Sequence, residues 1–135
     1  MKIGIDIHGV LDKEPKFFAT MTKLFVEARH EVHVITGVTI KPENRIGQKT
    51  LDLLKELDIY YTHIFSIVDH HEKIGTEIEY PDGSDNPWMD GELWDKCKGE
   101  YCEKHNIDIM LDDTRRYGDY FKTSFVHFLS IDSNR

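Results

Sequence analysis

The sequence predicts an α/β domain with a parallel sheet covered by helices on both faces. Short apolar runs alternate along the chain with longer stretches whose apolar residues recur at helical spacing. Alternation of this kind stacks helices against parallel strands. The chain has 135 residues, which suits a single domain over 1–135 with a core of its own.

Each element has its own signal. Residues 2–7 read Lys-Ile-Gly-Ile-Asp-Ile, a first strand. Gly9 follows, and Pro15 sits where a helix can start. Phe17, Phe18, Met21, Leu24, Phe25 and Ala28 form a helical stripe. Val32 to Ile35 is a second strand, stopped by Thr36-Gly37. A second helix is expected from Pro42 to Leu57, with Ile46, Leu53, Leu54 and Leu57 on one side. Ile64 to Val68 reads as the third strand.

Residues 69–90 break the rhythm with Gly75, Pro81, Asp82-Gly83 and Asn86-Pro87. Thr76 to Tyr80 alternates like one arm of a hairpin, with Asp82-Gly83 as its turn. The segment reads as an inserted loop or small hairpin. A third helix is expected from Gly91 to His105 and a fourth strand from Ile107 to Leu111, ending at Asp112-Asp113. A short helix from Arg115 to Phe121 and a fifth strand from Phe125 to Leu129 complete the pattern.

Composition narrows the function. The formal net charge is −8, and Arg115-Arg116 is the only adjacent pair of cations. An acidic chain without a basic patch repels a phosphate backbone, which argues against nonspecific nucleic-acid binding. No run of about 18 apolar residues is present, so no membrane span is expected. The start, Met1-Lys2-Ile3-Gly4-Ile5-Asp6, is not a signal-peptide core, and the expectation is a cytoplasmic protein. Cys97 and Cys102 lack zinc-knuckle spacing and read as two reduced thiols.

Three strand ends carry chemistry-bearing residues. Asp6 follows the first strand; such an aspartate can attack phosphorus and also hold a hard cation, or it can simply cap a turn. Gly9 lets the backbone turn tightly beside a ligand. Thr36 and Gly37 follow the second strand and offer a hydroxyl and an amide to a phosphate oxygen, or merely stop the strand. Asp112 and Asp113 follow the fourth. Adjacent carboxylates repel unless a cation sits near them, although Asp113 also suits a helix cap. Asp112 is the better ligand candidate.

Ile5-Asp6-Ile7-His8-Gly9-Val10-Leu11, then Ile35-Thr36, then a lysine, then Leu111-Asp112-Asp113, in this order on successive strands, resembles the haloacid-dehalogenase-like (HAD-like) hydrolase superfamily. The resemblance spans about residues 3–113. It implies a Rossmann-like three-layer α/β/α sandwich whose five-stranded parallel sheet has the order 5-4-1-2-3. It implies a Mg²⁺-dependent phosphohydrolase acting on a small phosphorylated metabolite, nucleotide or phosphorylated end through an aspartyl-phosphate. Asp6 would be nucleophile and metal ligand, and the carbonyl of His8 a second ligand. Thr36 and Gly37 would hold the phosphate, and Asp112 or Asp113 the metal. The family lysine falls best on Lys96 by position, with Lys98 and Lys73 as rivals. Residues 69–90 would be a reduced cap.

One departure bears on activity. Where the family's phosphatases carry a second aspartate as general acid/base, this chain has His8. Histidine titrates near neutrality and can do the same work; otherwise His8 only packs. The alternative function is a catalytically weak HAD-like domain that binds a phosphorylated ligand or a protein partner. A phosphoacceptor receiver domain is set aside, because its acidic pair follows the first strand. His70 or His71 is a candidate to reach the substrate from 69–90, and Trp88 or Trp94 to stack on a ring, though Trp94 suits the core better.

Overall fold

The computed structural model describes residues 1–129. The fold is α/β, with a five-stranded, all-parallel sheet. Its strands are β1 (Lys2–Ile5), β2 (Glu31–Thr36), β3 (His63–Ser66), β4 (Ile109–Asp112) and β5 (Ser124–His127). They lie in the order β3-β2-β1-β4-β5, the expected order read from the other edge. Among the described residues four α-helices lie between them: α1 (Pro15–Glu27), α2 (Arg45–Glu56), α3 (Ile67–Lys73) and α4 (Gly91–Lys104). Among the described residues, no helix is long and apolar enough to cross a membrane.

Strand alternation divides the core. Val32 and Val34 of β2 face α1 and α2, packing with Ile3, Ile5, Phe18 and Leu54. Ile35 points the other way and packs with Cys102, Ile107 and Met110 beneath α4. Both cysteines are buried free thiols, as expected. Burying a side chain such as Phe18 or Leu54 contributes roughly 1.5–3 kcal/mol.

The helix ends follow from local chemistry. Pro15 occupies the first turn of α1. Asn44 caps α2 by accepting from the amides of Ile46 and Gly47, so the helix starts at Arg45 rather than Pro42. Three helices end on a left-handed residue, Arg29 (φ 67°), Asp58 (φ 56°) and Asn106 (φ 54°). In each case the next amide reaches back five residues: His30 to Phe25, Ile59 to Leu54 and Ile107 to Cys102.

Two expectations fail near β3. Ile67 and Val68 belong to α3, not to the strand. Ser66 caps that helix, its hydroxyl accepting from the Asp69 amide at 3.1 Å. Ser66-x-x-Asp69 is a helix-start signature that the apolar run masks. The hairpin expected in 69–90 shrinks to one antiparallel bridge, Glu79 with Trp88. Pro81–Gly83 forms a short helical turn with Asp82 at φ 53°, which does not continue a ladder. The other elements shift by a few residues at their ends, and the short helix after β4 is a tighter turn over Arg115–Tyr120. Residues 130–135 of the expected domain lie outside the described residues.

Candidate active site

The direction of winding reverses at β1, which lies between β2 and β4. A crevice opens at the carboxyl ends of strands at such a switch. Asp6 stands at that point. Its amide donates to the Leu111 carbonyl at 3.0 Å, extending the β1–β4 pairing one residue past β1. The chain then turns through Ile7–Leu11, with Gly9 at φ 89°. A Cβ on Gly9 would lie 2.0 Å from a carboxylate oxygen of Asp113, so glycine is required both for the turn and for this approach.

Asp6, Asp112 and Asp113 bring one carboxylate oxygen each to within 4.8 Å of one another. Asp6 and Asp112 are buried and Asp113 is exposed. Lys98 reaches between the two buried ones from α4. Its ammonium donates to Asp6 Oδ1 at 2.9 Å and to Asp112 Oδ2 at 2.7 Å. The other oxygen of Asp112 accepts from the Thr114 amide at 2.9 Å.

Electrostatics here are set by burial. Desolvation raises the pKa of Asp6; Lys98 opposes this and Asp112 adds to it, and the group is pushed up to about 7. Burial alone would lower the pKa of Lys98, but Asp6 and Asp112 hold its proton and raise it above the ordinary lysine value. Three carboxylates facing one ammonium leave an excess of two negative charges when all are ionised. Oxygen donors with that excess fit a hard divalent cation.

Lys98, not Lys96, is therefore the lysine at this site. Two residues along a helix turn about 200°, so both cannot face the same cluster. Lys96 points into a cavity of about 650 Å³ between α3 and α4, lined also by Phe65, His70, His71, Cys97 and Tyr101. Lys73 is exposed near the end of α3. His70 and His71 line the same cavity as Lys96 and are not among the groups around the carboxylates. His71 is buried and pairs with Thr76 at 2.8 Å.

His8 is exposed on the turn after Asp6, and its Nδ1 lies 3.5 Å from Asp12 Oδ2. The other oxygen of Asp12 accepts from the Gly9 amide at 2.7 Å. Asp12 thus fixes the turn and lies within ion-pair reach of the His8 ring. It was not picked out from the sequence, and because His8 and Gly9 are not helical, its spacing of four from His8 carried no signal.

Thr36 is buried at the end of β2, in register with Ser66. A Cβ on Gly37 would lie 2.8 Å from the Trp94 ring, so glycine admits the indole there. Trp94 Nε1 donates to the Tyr117 hydroxyl at 2.8 Å, and the Tyr117 ring lies 5.3 Å from the Lys98 ammonium. Trp94 and Tyr117 so brace the lysine against the β2 turn. Tyr117 was also missed; nothing in its sequence neighbourhood marks it.

Segment 69–90 lies against the turn that follows β2. The Ile40 amide donates to Asp69 Oδ2 at 2.9 Å, Lys41 pairs with Glu72 at 2.6 Å, and Arg45 pairs with Asp85. That position is on the carboxyl-end side of the sheet. Its Trp88 is 66% exposed. No protein-family model matches the chain, and no curated protein matches it.

Proposed function

We propose that the protein is a HAD-like, Mg²⁺-dependent phosphohydrolase that works through an aspartyl-phosphate on Asp6. The observation that carries this reading is the buried Lys98 ammonium bridging Asp6 and Asp112 at 2.9 and 2.7 Å, with Asp113 beside them, at the switch point of a parallel sheet. A structural ion pair needs one carboxylate; the excess negative charge here suits a crevice that takes a cation and an electrophile.

Asp6, Asp112, Asp113 and the carbonyl of His8 are the groups that would hold Mg²⁺. The cation, when bound, offsets charge on the carboxylates and on the phosphoryl oxygens. Asp6 attacks phosphorus; the bond from phosphorus to the leaving alkoxide breaks, and the alkoxide takes a proton from His8. Water then attacks the acyl-phosphate and gives its proton back to His8, releasing Asp6 and inorganic phosphate. Asp12 lies beside Nδ1, which leaves Nε2 as the nitrogen proposed for proton transfer. Lys98 and the Thr36–Gly37 turn supply positive charge and donors for the phosphoryl oxygens.

The substrate class is a small phosphorylated metabolite, a nucleotide or a phosphorylated end. Turnover of a generic phosphate monoester, with and without Mg²⁺, tests the proposal. Release of phosphate that needs both Mg²⁺ and Asp6 supports it. Binding of a phosphate mimic such as vanadate without any turnover would instead favour a ligand-binding domain.

A further inference from the structure

A second set of donor atoms sits on the same sheet, away from the carboxyl ends. Glu31 and His33 are two residues apart on β2, so both project to the face covered by α4. His63 is the register partner of His33 on β3, the edge strand. Glu31 Oε1 lies 2.8 Å from His33 Nε2 and 3.8 Å from His63 Nδ1. The far side of the His33 ring is held by Tyr101, whose hydroxyl lies 2.7 Å from Nδ1.

We infer that Glu31, His33 and His63 form a binding site for a borderline divalent transition ion of the Zn²⁺ class, which clips edge strand β3 to β2. Two imidazole nitrogens and one carboxylate oxygen are a donor set for such ions, with a further position open to water. Bonds of about 2.0–2.1 Å in tetrahedral geometry put donor atoms roughly 3.3 Å apart. The separations of 2.8 and 3.8 Å found here lie on either side of that value. The three residues each bring a donor atom to within 4.8 Å of the others.

The surroundings fit the assignment. Tyr101 bonds His33 Nδ1 and so directs Nε2 toward Glu31, the outer partner that a ligating imidazole needs. His33 is buried, whereas the side chains of Glu31 and His63 are 37% and 48% exposed, which leaves the ion an entry path. The His33 and His63 rings are stacked with centroids 4.2 Å apart and planes within 4°. Parallel rings aim their lone pairs along parallel lines, so ligation turns the half-exposed His63 ring out of the stack. Two groups compete with the ion: Lys2, 3.8 Å from Glu31, for the carboxylate, and the Thr62 hydroxyl, 2.9 Å from His63 Nδ1, for that nitrogen, which the turn of the ring frees. The site stands independently of the phosphohydrolase reading. Its donors lie three to five residues back along β2 from Thr36, roughly 10–16 Å away at strand spacing.

The test is calorimetric titration of the whole protein with Zn²⁺ in millimolar Mg²⁺, added to compete for the oxygen-only cluster, together with visible spectroscopy of Co²⁺. The expected result is one Zn²⁺ bound per chain at this site and visible bands of a low-coordinate Co²⁺ ion. His63→Ala and Glu31→Gln, both at partly exposed positions, should weaken binding by about tenfold or more, and Tyr101→Phe by about tenfold. Asp113→Asn should bind Zn²⁺ as the wild type does. In NMR spectra, Zn²⁺ should move the His33 and His63 ring resonances together. The inference is overturned if Zn²⁺ binds no tighter than about millimolar. It is also overturned if His63→Ala and Glu31→Gln bind within twofold of wild type, or if Asp113→Asn abolishes the binding.

Discussion

The two ends of β2 and its neighbours hold polar clusters of opposite design. At the carboxyl ends, Asp6, Asp112 and Asp113 surround a single Lys98, and charge is in surplus. Toward the amino ends, Glu31, His33 and Tyr101 satisfy one another, and no like charges are forced together. Burial lowers the pKa of His33, with the bond to Glu31 opposing. The lesson concerns cost. A buried polar group that completes its own hydrogen bonds is compatible with plain stability. A buried group pushed from the ordinary carboxylate range to about 7, as Asp6 is, stores free energy that a ligand can release.

The largest expected effect separates the clusters by activity. Asp6→Asn should reduce Mg²⁺-dependent phosphate release below about a thousandth of wild type, because no other group replaces a nucleophile. Phosphate assays at saturating Mg²⁺ measure this. Retention of a tenth of the activity would remove Asp6 from the chemistry.

Next is the lysine. Lys98→Met leaves two buried carboxylates without their partner and should cost about 3 kcal/mol of stability in urea near neutral pH. Lys96→Ala, on the other side of α4, should change stability by less than about 1 kcal/mol and turnover by less than about twofold. Equal losses in the two variants would mean that the contrast between the faces of α4 has no energetic content.

His8→Ala should slow turnover by roughly a hundredfold, with the loss in kcat rather than in KM. His8→Asp restores the residue the resemblance expects. An increase above wild type would show that histidine is a poor substitute and not an adaptation.

The smallest effect is on stability against pH. The folded pKa of Asp6, about 7, lies above the ordinary 3.8, so the fold binds this proton more tightly than the unfolded chain does. The stabilisation is full below about pH 4 and is lost as pH rises through about 7. Asp6→Asn abolishes that titration. In EDTA, the variant should therefore lose less stability than wild type between about pH 4 and 8, by on the order of 1–2 kcal/mol, since Asp112 and Lys98 share the proton. Parallel urea midpoints across that range would contradict the buried-carboxylate account.

Much of this was readable in the sequence. Asp6, Thr36 and Asp112 were placed at strand ends because each directly follows an apolar run, and a parallel sheet puts those ends on one side. The strand order was expected from the resemblance, and the sheet has it. The lysine was harder. Lys96 and Lys98 lie on one helix with similar neighbours, and only the rotation of α4 against the sheet selects Lys98. The start of α3 was misread because Ile67 and Val68 are buried, and burial looks alike in a short strand and in a first helical turn.

By itself, the sequence determined the class of the fold, the succession of its elements and the strand ends that carry carboxylates, because periodicity and turn residues act over a few positions. Only the tertiary structure decided which groups meet. His33 and His63 are thirty residues apart, Lys98 and Asp6 ninety-two, and Trp94 and Tyr117 twenty-three. Such pairings depend on strand register and helix rotation, and these are set by how the whole core packs, which no local window of sequence contains.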